Sequence, residues 1–129
     1  MTTRATGTFT TTIEPLSSDD DTLGRMRVEK VIQGDLVGFG RAQMLSVGTP
    51  IDGSAGYVAL DHITGTLHGR SGTFVLQHSG VLDRGAATLT VTVVPDSGTD
   101  ELLGLTGTFE IDNRGAEHHY VFTYALEPR

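Results

Sequence analysis

Apolar and polar residues alternate along this chain in short runs, and no window sustains the 3.6-residue period of an amphipathic helix. Eight period-two segments stand out, at 6–13, 24–32, 36–46, 56–67, 72–81, 87–94, 104–111 and 117–126. Gly, Asp, Ser and Pro separate them, so each reads as a strand bounded by turn residues. Eight strands with hairpin-like links predict an all-β fold, a closed antiparallel eight-stranded barrel, because closure removes exposed sheet edges. A two-sheet sandwich is the alternative. The 129 residues fit one domain over 1–129, long enough to bury a core without staples.

Four segments repeat one pattern: Thr6-Gly7-Thr8-Phe9, Thr64-Gly65-Thr66-Leu67, Ser71-Gly72-Thr73-Phe74 and Thr106-Gly107-Thr108-Phe109. Glycine inside a strand marks a bend or close approach, which a coiled barrel wall needs. The alternation also assigns faces. A hairpin tip at Gly69-Arg70 sets Asp61 opposite His78 and Ile63 opposite Leu76, with Tyr57, Phe74 and Leu76 on that same face. A tip at Arg114-Gly115 pairs Phe109 with Tyr120 and Ile111 with His118. It gathers His118, Tyr120, Phe122 and Tyr124 on one side and sends His119 to the other. In the second strand Met26, Val28, Lys30 and Ile32 share a face, and a turn around Gly34 sets Lys30 opposite Gly38.

Charge narrows the function classes. Nine basic against sixteen acidic residues give a net charge of −7, and such a surface repels a phosphate backbone. Neither nucleic acid nor an anionic membrane is expected as a partner. The chain has no cysteine, hence no disulfide or thiolate chemistry. No signal-like apolar start or membrane-length run is present, so the expected location is cytoplasmic. The run Ser17-Ser18-Asp19-Asp20-Asp21 lacks calcium-loop spacing and reads as a solvated loop.

Candidate chemistry rests on few residues. Asp61 and His78 across a strand pair suit general acid/base work, since a carboxylate orients an imidazole and favours its protonated form. A hydrogen bond that merely satisfies both groups is the structural alternative. Lys30, if inward, needs a carboxylate partner, and Asp61 is the natural one. It would then hold an anionic head or polarise a carbonyl. Tyr57, Met44, His118, Tyr120, Phe122 and Tyr124 are the candidate lining of a ligand pocket, or simply core. The histidine spacings lack a ligand pattern, so no metal is expected. Nucleophile motifs are absent, and no cofactor is implied.

The runs Gly34-Asp35-Leu36, Gly53-Ser54-Ala55-Gly56-Tyr57-Val58-Ala59, Gly65-Thr66-Leu67-His68-Gly69-Arg70-Ser71-Gly72, Phe74-Val75-Leu76-Gln77-His78-Ser79-Gly80 and the tail from His118 to Leu126 resemble the DUF3224 family of uncharacterised bacterial proteins. So does Val93-Val94-Pro95-Asp96-Ser97-Gly98-Thr99 followed by Leu103-Gly104-Leu105-Thr106-Gly107. The resemblance implies an allene-oxide-cyclase-like barrel, similar in shape to lipocalins and dirigent proteins. Those relatives enclose hydrophobic ligands or steer cyclisation and coupling. Asp61 stands where the family usually has Glu, and His119 where relatives often carry a small polar residue, which implies a surface place. The resulting expectation is a barrel binding a small apolar or amphipathic molecule, as an isomerase or cyclase. The alternatives are a non-catalytic binder and a homo-oligomeric interaction module whose aromatic strand packs between subunits.

Overall fold

The computed structural model describes residues 2–17, 22–112 and 118–127. All eight strands are present: β1 (Thr3–Leu16), β2 (Gly24–Gly34), β3 (Leu36–Gly48), β4 (Ala55–Leu67), β5 (Arg70–Asp83), β6 (Ala86–Val93), β7 (Leu105–Asp112) and β8 (His118–Leu126). Each pairs antiparallel with its neighbours in chain order, and β1 pairs with β8 to close the barrel. The sandwich alternative is thereby set aside. Alternation explains the closure: inward positions such as Val28, Lys30 and Ile32 are buried, whereas Arg27, Glu29 and Val31 between them are exposed. No helix among the described residues is long and apolar enough to cross a membrane.

The three hairpin registers read from the sequence each differ from the structure by two residues. The β4–β5 turn is His68-Gly69, at φ of 46° and 81°. Two consecutive left-handed residues match the right-handed twist of the flanking strands. Asp61 therefore lies opposite Leu76, Ile63 opposite Phe74 and His78 opposite Ala59. Likewise Lys30 faces Gly40 rather than Gly38, and Phe109 faces Phe122 with Ile111 opposite Tyr120. A two-residue slip preserves the inward set, because side chains alternate with period two. The Arg114-Gly115 tip and residues 18–21 of the acidic run lie outside the described residues.

One end of the barrel is solid. Phe74 stacks on Phe122, with ring centroids 5.8 Å apart, and Phe109 stacks on Tyr120 at 5.0 Å. A 3-10 turn at Asp100–Leu102, absent from the strand pattern, inserts the fully buried Leu102 as a plug. The Tyr120 hydroxyl accepts from Leu36 N–H at 3.0 Å and can donate to Gln33 C=O at 2.9 Å, fastening β8 to the β2–β3 turn. Gly7 leaves room for it, since a Cβ there would come within 2.6 Å of that oxygen. Nearby, His68 Nδ1 hydrogen-bonds Tyr124 Oη, and its Nε2 lies 3.6 Å from Asp35 Oδ2.

The wall has one weak seam. β6 and β7 meet in register at a single pair, Thr92 opposite Thr108. Towards the other end of the barrel β6 is exposed from Ala86 to Thr90.

Candidate functional site

Midway along the barrel, three inward positions on nearby strands carry ionisable side chains instead of apolar ones. Lys30 comes from β2, Asp61 from β4 and His78 from β5, with exposures of 9%, 0% and 5%. Lys30 Nζ donates to Asp61 Oδ2 at 2.8 Å, reaching across β3 above Gly40. A Cβ on Gly40 would sit 2.7 Å from Asp61 Oδ1, so this glycine is what admits the carboxylate. His78 Nε2 lies 3.5 Å from the same Oδ2. The two atoms are near one another but not aligned as a hydrogen bond. Asp61 Oδ1 and His78 Nε2 are both buried without a hydrogen-bond partner from the protein.

Burial by itself pushes the Asp61 carboxyl up. The His78 contact and the Lys30 charge outweigh it and hold the group below its ordinary value. Asp61 is thus an ionised carboxylate inside an apolar shell. Lys30 also stands 5.3 Å from the centroid of the Phe9 ring, a cation–π contact that helps replace lost hydration.

Above this trio the barrel is hollow. A cavity of about 230 Å³ is lined by Lys30 and His78 at its floor, with Met44, Tyr57 and His118 on its walls. Phe9, Val28, Ala59 and Ile111 complete an apolar surround. His118 stacks on Phe9 at 5.0 Å. Tyr57 lies across Gly80, where a Cβ would come within 2.2 Å of its ring, and burial pushes its hydroxyl pKa up. Leu89 points inward by its register on β6, lines the cavity and is still 43% exposed. It stands beside the β6–β7 seam.

The structure therefore brings Lys30, Asp61, His78, Met44, Tyr57 and His118 together, with Asp61 behind the floor. Tyr120, Phe122 and Tyr124 share the inward face but lie in the packed end, where Tyr120 stacks on Phe109 and Phe122 on Phe74. His119 is exposed. No group of three metal-ligating side chains occurs among the described residues. Sequence reasoning missed Phe9, Leu89, Ile111 and the role of Gly80. Glycine opposite tyrosine was visible in principle, but only in the correct register.

A larger hollow, about 870 Å³, lies on the barrel's outer face between Arg25, Leu45, Val58 and His62. It is an open groove on the far side of the wall from the trio.

The model of a protein of unknown function, DUF3224, matches residues 5–124. A crystal structure of a DUF3224 protein of unknown function from Shewanella oneidensis MR-1 is similar over 100% of both chains, at 40% identity and a TM-score of 0.94. No match is found among curated proteins. The chain belongs to the DUF3224 family.

Proposed function

For this DUF3224 barrel we propose that the interior cavity binds a small, mostly apolar molecule bearing one carbonyl oxygen, and moves a proton on it. The observation that carries this reading is the buried trio itself, two of whose members, Lys30 and His78, line a hollow enclosed mostly by apolar side chains. As a stabilising device the arrangement is poor. A buried ion pair seldom outperforms apolar residues of the same volume, and each unsatisfied buried polar atom costs about 1–3 kcal/mol. A ligand held by Lys30 and His78 would give the expense a purpose.

Size limits the ligand. An apolar cavity of about 150 Å³ accommodates benzene, so 230 Å³ suits a single ring or short branched chain with one polar head. The walls contributed by Val28, Met44 and Ile111 favour the apolar part, while Lys30 and His78 mark where the oxygen belongs.

The chemistry follows from the charges. The Lys30 ammonium, fixed by Asp61, donates to the ligand oxygen and stabilises negative charge that develops there. A proton on His78 Nε2 faces the carboxylate, which leaves Nδ1 of the neutral ring as the base. That nitrogen takes a proton from the carbon beside the carbonyl, giving an enolate held by Lys30. Where a carbon–carbon double bond adjoins that carbon, the enolate is conjugated with it, and return of the same proton to the far end of the double bond completes an isomerisation with nothing consumed. Asp61 positions both partners and stays ionised throughout.

Solvent-deuterium exchange tests this directly. Small cyclic ketones incubated with the protein in deuterated buffer should gain deuterium beside the carbonyl, with exchange falling about 10²–10⁴-fold in His78→Ala. Binding without exchange would leave the non-catalytic binder. Neither binding nor exchange would refute both.

A further inference from the structure

We propose that the cavity is a chamber beneath a collar, and that Ala59 makes it select a carbonyl compound bulky beside its carbonyl and slender at its far end. The inference rests on the proton-transfer reading above and deepens it. Neighbouring strands β1 to β5 follow one pattern from the trio towards the open end. At the level of the trio stand Phe9, Lys30, Gly40, Asp61 and His78. The next inward positions are Thr11, Val28, Ala42, Ala59 and Gly80, and the next Ile13, Met26, Met44, Tyr57 and Leu82. Each step is two residues, or about 5 Å along the axis for strands tilted by roughly 40°. Apart from Thr11 and Val28, the middle layer carries nothing larger than a methyl group. The outer layer is large throughout.

Ala59 lies directly opposite His78 on one side and Met44 on the other. Directly opposite residues have Cβ atoms about 4.5–5.5 Å apart. A carbon within reach of His78 therefore lays its other substituents against the Ala59 methyl. Ala42, a diagonal neighbour across β3 and β4, extends that space. Gly80 does not, because the Tyr57 ring lies over it. Ala42 and Ala59 are 4% and 8% exposed, and close-packed interiors seldom leave two buried alanines beside a void. The collar governs the other end. Ile13 and Leu82 point inward by register yet are 56% and 36% exposed. An unbranched chain leaving the chamber covers them, and the adaptable Met26 and Met44 close around it. A branched group of the same size collides with Met44 and Tyr57.

Isomeric ketones test this shape at constant composition, with affinities read by isothermal titration calorimetry. Wild type should bind 4-butylcyclohexanone at least tenfold tighter than 4-tert-butylcyclohexanone. It should bind 2-methylcyclohexanone at least as tightly as cyclohexanone. Ala59→Val should lower the ratio of 2-methylcyclohexanone to cyclohexanone affinity at least tenfold, and Met44→Ala should shrink the preference for the 4-butyl isomer to within a few-fold. The wild-type comparisons decide even where a variant fails to fold. Equal binding of the two 4-substituted isomers, a 2-methyl group that weakens wild-type binding, or folded variants that keep the wild-type ratios would overturn the inference and leave the proton-transfer reading standing. A wild type that binds none of these ketones overturns both.

Discussion

Lys30 and Asp61 depend on each other because neither ion survives burial alone. Removing the carboxylate in Asp61→Asn leaves an uncompensated ammonium under the cavity, and should cost about 3–5 kcal/mol in denaturant unfolding. Replacing both, as Lys30→Met/Asp61→Leu, should recover most of that loss and can exceed wild type. Such a result would show the pair to be kept for something other than stability. The acid dependence follows from the same contact. Asp61 titrates below its ordinary 3.8 in the folded protein. The pair's contribution is therefore full above that pH and is lost as the pH falls through the lower folded value. Asp61→Asn should flatten this part of the acid-unfolding curve; an unchanged curve would mean that other carboxylates govern it. Much of this was legible in the sequence, since parity alone turned Lys30, Asp61 and His78 inward. That Asp61 Oδ2 serves both partners was not, because it depends on which residues are diagonal neighbours rather than directly opposite.

Strands and turns carry the next level. The sequence pattern located all eight strands, yet placed three registers two residues away, because turn type decides the register and glycine occupies several turn positions. The correct register explains two inward glycines as clearances, Gly40 for Asp61 and Gly80 for Tyr57. Gly80→Ala should displace the Tyr57 ring and cost about 1–3 kcal/mol, measurable by thermal unfolding together with tyrosine fluorescence. The 3-10 turn at Asp100–Leu102 escaped the pattern because three residues are too few to show a period. It is nonetheless what plugs one end and leaves the cavity at the other. Beside the β6–β7 seam, joined at Thr92 and Thr108 alone in the ladder, Leu89 lines the cavity and is still part exposed, which makes it the candidate way in. Leu89→Trp should narrow it and slow ligand association roughly tenfold in stopped-flow measurements, with little change in stability. An unaltered rate would place the way in elsewhere.

At the scale of the whole molecule the barrel is asymmetric in two directions. Along its axis a tightly stacked aromatic end passes into a charged floor and then a hollow. Around its circumference exposed threonines 88, 90 and 108 on β6 and β7 stand across from a face of β2–β4 that mixes apolar and charged side chains. Composition anticipated the first asymmetry only in outline: eight aromatic residues, no tryptophan and seventeen glycines are few bulky groups for a barrel of this size. Which end is empty was not legible, because His118, Tyr120, Phe122 and Tyr124 share one face and only position along β8 separates the lining residue from the core. The central claim is that the hollow end receives a small molecule at Lys30 and His78. Methionine-methyl NMR addresses it most directly, since Met44 lines the cavity. Titrating a cyclic ketone should shift the Met44 methyl signal saturably, and His78→Ala or Lys30→Leu should weaken that binding at least tenfold with the fold retained. A Met44 signal that never moves, or one that moves equally in both variants, would contradict the account.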